Sequence, residues 1–273
     1  MVSSGEILRK IKSIRPDLII NNYIFDARHE DFYKAIINDR EVFKFAKQEL
    51  NGMECVIKNK MKLSEKIEFK IPKILEYRIS KMDILDNYYY YRIEGNPIKE
   101  NKDIYKKILK SLSQLHSVSP EILDYRIPLR NSKDKIIEIY KEAKKEVFPY
   151  LKKDEIEYLK YNFDKFIDLK NDIQIGCKLI HGSLNKFKIY ENENQEIFLD
   201  DFDGIKLGDP ALDVYPMIDA FGKEFLELAY KNYDKKLIDK AIFYSKINKL
   251  KQKIIIKKEK DEEEFLKIIK KFA

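Results

Sequence analysis

The sequence predicts an α+β fold of two lobes, β-rich first and mostly helical after. Three observations lead there. Residues 1–95 carry several short runs rich in β-branched and aromatic residues. Residues 96–273 carry amphipathic patterns at helical spacing. Within that helical region a single isolated strand–turn–strand insert interrupts the pattern, beginning at Leu179. A β-rich segment followed by a helical one is the signature of an α+β chain.

Taken in order, "GEILRKIKSI" reads as a helix, with Ile7, Leu8, Ile11 and Ile14 recurring at helical spacing and Pro16 following it. Three β-rich runs come next, Leu18–Phe25, Phe32–Ile37 and Glu41–Phe45, with "NDR" as the hairpin turn between the last two. "MECVIKNKMKLSEKI" is helix-like, and "DILDNYYYYRIEG" is a strand ending at Gly95. After Gly95, "KDIYKKILKSLSQLHSV" places Ile104, Ile108, Leu112 and Leu115 on one helical stripe. Two more helices follow, then the β-insert, and from Pro210 onward the chain is helical again to its end. The domain division expected is 1–95 and 96–273, with a hinge near Gly95; on pattern alone this order fits either a two-lobed kinase-like fold or an α+β chain of unrelated topology.

Composition narrows the class. Hydrophobic residues at 44% and charged residues at 37% fit a soluble globular protein. No apolar run approaches the length of a bilayer span, and charges break the N-terminal segment, so neither a membrane nor a secretory signal is expected. Cys55 and Cys177 form no disulfide or metal-spacing pattern, which points to a reducing cytoplasm. The net charge of +7 raises nucleic acid as a partner, but 47 acidic residues interleave with 54 basic ones, and a solvated lysine-rich surface is the preferred explanation.

Phosphoryl transfer needs a cation for the phosphates, a carboxylate for magnesium and a second carboxylate for the acceptor hydroxyl. Lys44 lies in the apolar strand "EVFKFAK", on the face of Val42 and Ala46, either as a solvent-facing lysine or as an ammonium with a buried partner. Glu54 is the preferred helix partner for it, with Glu49 the other candidate. His181, in a tight turn after a strand, is either a general base or a buried histidine bonding the loop. Asp200, Asp201 and Asp203 crowd three carboxylates into four residues, which form either a cation site or an acidic turn. Strand alternation would separate Asp200 from Asp201 and Asp203. Asp209, before Pro210, reads as a helix cap, and Asp213 as a residue that organises the helix start.

Together "EVFKFAK", "YRIEGNPI", "LSQLHSV", "LIHGSLNKFKIY" and "DFDGIKLGDPALDV" resemble the aminoglycoside phosphotransferase family, of the choline-kinase and protein-kinase-like fold. The resemblance implies that Lys44 binds nucleotide, that Tyr91, Ile93 and Glu94 line an adenine-bonding hinge, and that Asp201 holds the metal. It also implies that "FDARHEDF" covers the phosphates, without the usual glycines. The family pattern His-Gly-Asp-x-x-x-x-Asn departs here at two positions. Ser183 stands at the catalytic aspartate and Lys188 at the metal-binding asparagine.

A serine hydroxyl accepts no proton at neutral pH, and general-base help contributes roughly 10²–10⁴-fold in rate. An ammonium beside the metal adds a repulsion of several kcal/mol at about 4 Å. Lys188 is therefore expected to pair with Asp201 in place of the cation. The expected function is a phosphotransferase-like protein, a pseudokinase with weak or no transfer. The alternative is an active small-molecule kinase acting on a hydroxyl of an aminoglycoside, choline-like or sugar substrate. The implied nucleotide is ATP or GTP, Mg²⁺ is disfavoured, and the partner is a small hydroxyl substrate or regulatory ligand.

Overall fold

Helix α1 (Ser4–Ile14) begins where the sequence caps it. The Ser3 side chain accepts from the Glu6 amide at 3.2 Å, and the Glu6 carboxylate accepts from the Ser3 amide at 2.8 Å. The computed structural model describes residues 2–28, 31–47, 51–80, 83–123, 132–167 and 177–271. The chain continues through β1 (Tyr23–Asp26), β2 (Phe32–Ile37), β3 (Glu41–Ala46), α2 (Asn51–Ser64), β4 (Ile74–Arg78), β5 (Tyr88–Arg92) and β6 (Asn96–Pro97). Helices α3 (Lys102–Ser117), α4 (Ser132–Glu146) and α5 (Lys153–Phe166) follow. Then come β7 (Lys178–Ile180), β8 (Ile189–Glu191), β9 (Ile197–Leu199) and β10 (Lys206–Gly208). Three helices close the chain, α6 (Ala211–Asn232), α7 (Lys235–Glu259) and α8 (Glu262–Lys271).

These elements form two compact units. The first comprises Met1–Lys99, Pro120–Arg126 and Phe187–Asp203; the second comprises Glu100–Ser119, Ile127–Lys186 and Gly204–Ala273. The segment Phe187–Asp203, which the sequence pattern groups with the helical lobe, is thus part of the β-rich unit.

The first unit is built on a five-stranded antiparallel sheet in the order β1-β2-β3-β5-β4. Its alternation sorts the core into two faces. On one face Phe43 and Phe45 of β3 pack with Tyr88 and Tyr90 of β5 and with Ile7 and Ile11 of α1. On the other, Val42 and Ala46 pack with Tyr89 and Tyr91 and with Met53 and Ile57 of α2. The "NDR" turn forms as expected, Asn38 and Asp39 taking φ of 49° and 61° and Arg40 bonding back to the Ile37 carbonyl. That asparagine also explains why the first predicted strand is shorter than Leu18–Phe25. Its side-chain oxygen takes the amides of Asn21 and Asn22 at 2.9 and 3.3 Å, so they do not enter the ladder. β4, an edge strand with mostly exposed side chains, has no alternating pattern to announce it. β6, β8 and β9 form a small sheet beside the large one in the same unit.

The second unit is helical around the β7–β10 pair. Asn101 caps α3 by accepting from the amides of Asp103 and Ile104, and α3 buries the predicted stripe Ile104, Ile108, Leu112 and Leu115. Tyr105 packs tilted against Phe221 and edge-on against Phe225 of α6, while Tyr140 of α4 stacks on Phe163 of α5. The chain is helical after Pro210 as expected, and α6 runs across a kink at Gly222, whose φ is 68°. Among the described residues no helix is long and apolar enough to cross a membrane.

Candidate functional site

The candidate site of the first unit starts from one row of the sheet. Lys34 of β2, Lys44 of β3 and Tyr89 of β5 are directly opposed across the ladder, so their side chains share a face. Two lysines side by side repel, and this face is the one covered by α2. Lys44 is only 2% exposed, which removes the solvent-facing reading. Counter-charge is therefore required.

It comes from the end of β9. The sequence pattern lets the strand continue through Asp203, with carboxylates alternating between faces. Instead β9 stops at Leu199, and Asp201 takes φ of 69°, which reverses the chain. Phe202 then buries against Phe69, in a short 3₁₀ turn over Phe202–Gly204. Asp201 and Asp203 both reach the lysines, and with the alternation broken Asp200 is no longer set apart from them. Lys44 donates to the Oδ1 of Asp201 and the Oδ2 of Asp203. Lys188 pairs with the Oδ2 of Asp201 at 2.7 Å, which is the contact expected from the sequence. Lys34 lies 3.9 Å from Asp200 and 4.0 Å from Asp201.

A further lysine, not anticipated from the sequence, completes the cluster. Lys60 of α2 is 4% exposed, lies 2.8 Å from Asp203 Oδ1, donates to the Tyr89 hydroxyl at 3.3 Å and sits over the rings of Tyr89 and Tyr91. Tyr89 also donates to Asp203. The signal for Lys60 was present: Met53, Ile57 and Lys60 recur at i, i+4 and i+7, on one helical face. The same phase corrects the Glu54 expectation. Glu54 is one residue past Met53, about 100° around the helix, and it pairs with Lys58 at 2.7 Å with both side chains more than half exposed. The other candidate partner, Glu49, lies outside the described residues. So do two residues of the "FDARHEDF" loop, although Asp26 and Arg28 pair there at 2.8 Å.

Electrostatics follow from this packing. Burial alone would lower the Lys44 pKa, but Asp203, Asp201 and Asp200 outweigh it and raise it. Burial would raise Asp201 and Asp203, yet Lys44, with Lys34 and Lys188 at the first and Lys60 at the second, holds both far below the usual carboxylate range. Lys60 goes the other way: burial lowers its pKa, and Asp203 only partly compensates.

Of the hinge residues, Tyr91 and Ile93 are buried and Glu94 is exposed. The Ile93 amide donates to the Arg40 carbonyl at 2.9 Å, so it is already engaged within the protein. The Tyr91 hydroxyl is buried with no hydrogen-bond partner among the described residues.

His181 and Ser183 lie in the second unit, in a turn organised by Asp213. That carboxylate is fully buried and accepts from the amides of His181 and Gly182 at 2.7 and 2.9 Å, with His116 Nε2 at 3.2 Å. Burial would raise its pKa, but the His116 contact and the other neighbours lower it. Ser183 Oγ is 3.5 Å from His181 Nδ1, and His181 is fully buried. Asp209 accepts from the Ala211 amide at 3.0 Å and from the Tyr244 hydroxyl at 2.8 Å, the helix-start role expected for it.

No family model matches the sequence. It is 25% identical over 209 residues to the serine–tRNA ligase of Wigglesworthia glossinidia brevipalpis, covering 71% of this chain and 44% of that protein, so the chain spans less than half of that curated relative. Solved structures match over nearly the whole chain. The GDP and kanamycin complex of APH(2")-IIia has a TM-score of 0.68 at 19% identity, covering 97% of each chain. Macrolide 2'-phosphotransferase type I gives 0.60 at 13%, covering 98% of this chain and 96% of the other. The ADP-bound aminoglycoside phosphotransferase APH(2'')-Ib gives 0.56 at 20%, covering 96% and 95%. At these identities the likeness is one of fold, and the fold is the kinase-like one of the aminoglycoside and macrolide phosphotransferases.

Proposed function

We propose that this chain is an aminoglycoside phosphotransferase-like protein of the cytoplasm that binds ATP or GTP and transfers phosphate weakly or not at all. One observation carries the proposal. Both oxygens of Asp201 are held by lysines, Oδ1 by Lys44 and Oδ2 by Lys188.

Magnesium fits these residues poorly. It demands near-octahedral oxygen ligands at about 2.0–2.1 Å, whereas Asp201 is engaged on each oxygen by an ammonium. Each ammonium at about 4 Å repels a divalent ion by several kcal/mol even at an effective dielectric near 20. Among the described residues no group of three or more His, Cys, Asp and Glu side chains is arranged to hold a metal ion. No step is therefore routed through one.

The acceptor side agrees. Ser183 carries no charge to align an incoming hydroxyl and cannot accept its proton, and His181 is fully buried. The loss expected from the missing base alone is roughly 10²–10⁴-fold. The APH(2")-IIia and APH(2'')-Ib structures hold GDP with kanamycin and ADP, which supports a nucleotide and a small hydroxyl-bearing ligand as the class to test.

The test measures phosphate transfer from ATP and GTP to kanamycin, a macrolide, choline and simple sugars with magnesium present. The parent is expected at background, and Ser183→Asp combined with Lys188→Asn is expected to gain turnover. Parent turnover in the ordinary enzymatic range of about 1–10³ s⁻¹, abolished by Asp201→Ala, would mean a working kinase instead.

A further inference from the structure

We propose that the lysine–aspartate cluster of the first unit is a metal-independent receptor for a polyphosphate, taking a nucleoside triphosphate as the free anion, with Lys34 as the ammonium that meets it. This deepens the reading above and rests on it.

Charge balance is the first argument. Four lysines (Lys34, Lys44, Lys60 and Lys188) converge on three aspartates (Asp200, Asp201 and Asp203). Counted over these seven side chains, with the nearby Asp26 paired to Arg28, the formal charge is +1. A bare anion relieves that surplus, while a divalent cation adds to it. A nucleotide complexed with magnesium also brings two fewer negative charges than the free tetra-anion, so the ordinary preference for the metal complex is inverted here.

The second argument is how unevenly the four ammoniums are committed. Lys44 and Lys60 are buried and bonded to carboxylates. Lys188 is 2.7 Å from Asp201 with its side chain 19% exposed. Lys34 reaches Asp200 and Asp201 only at 3.9 and 4.0 Å, beyond a hydrogen bond, and its side chain is 21% exposed. It can turn to a phosphate oxygen without breaking a short contact. The buried pair fixes the carboxylates, and the rim pair presents charge.

The experiment is calorimetry on the full chain with ATP in EDTA, ATP with excess magnesium, and inorganic tripolyphosphate in EDTA. Expected is ATP binding in EDTA that magnesium weakens, competition by tripolyphosphate, and about a tenfold loss of affinity in Lys34→Gln. Lys34→Arg is expected to retain binding, and circular dichroism checks that each variant folds. Tighter binding with magnesium, no ATP binding in EDTA, failure of tripolyphosphate to compete, or unchanged affinity in folded Lys34→Gln overturns the inference. The two readings fail separately: magnesium-dependent turnover removes the proposed function, while absent turnover with ATP bound only in the presence of magnesium removes only this one.

Discussion

A buried ammonium persists only where counter-charge outweighs the loss of water, and Lys44 meets that condition through Asp203 and Asp201. Asp203 is the more deeply placed of the two, its side chain 2% exposed and serving Lys44, Lys60 and Tyr89 at once. Asp203→Asn keeps the shape but removes the charge, leaving two buried lysines to share Asp201 and Asp200. The expected cost is about 3–5 kcal/mol, the usual penalty for orphaning a buried ion, read as a drop in the urea midpoint. A loss below about 1 kcal/mol would mean that the lysines find water instead. At this scale the sequence was partly readable. Lys44 in an apolar strand and three crowded carboxylates announce an ion cluster, and Lys188 five residues after Ser183 announces the Asp201 pair. Asp203 was harder to place because its direction depends on a left-handed Asp201, which no local pattern signals.

At the scale of elements, the helices were the most legible, because 3.6-residue periodicity survives in the sequence whatever packs against it. What periodicity cannot give is which helix face meets which strand. Glu54 is the partner the sequence prefers for Lys44, but the buried stripe of α2 runs through Met53, Ile57 and Lys60. Strands were legible where the Asn38 turn pins register, and not at β4, whose exposed side chains carry no alternation. Two glycines mark points where only that residue suits the element. Gly222 sits in α6 at φ 68° and ψ −146°, with open space where a Cβ would go. Gly222→Ala therefore costs about 1–3 kcal/mol from backbone strain alone. Gly95, at φ 90°, would place a Cβ 2.4 Å from the Glu191 carbonyl oxygen in β8. Gly95→Ala carries the same strain plus a backbone clash, so its thermal midpoint is expected to fall further than that of Gly222→Ala. The opposite ranking would show that β6 and β8 can separate without loss.

Over the whole molecule the net charge is +7. Exposed lysines are matched along their own helices, as in Lys58–Glu54, Lys223–Glu227, Lys235–Asp239 and Lys267–Glu263. Affinity for duplex DNA at physiological salt is accordingly expected to be no better than the non-specific range of about 10⁻⁶–10⁻⁴ M, checked by fluorescence anisotropy. Acid response is the sharper global property. Asp201, Asp203 and Asp213 all have pKa values held below the ordinary carboxylate value. A carboxylate depressed in the folded state binds its proton more weakly there than in the unfolded chain. Its stabilisation is therefore complete at neutral pH and erodes as pH falls through the unfolded value near 4 toward the folded one. The thermal midpoint is expected to decline steeply below about pH 4, and Asp203→Asn, which has already lost one such group, to decline less steeply from its lower start. Equal slopes in parent and variant would mean that Asp203 titrates alike in both states, and the lysine-held charge cluster would lose its energetic basis.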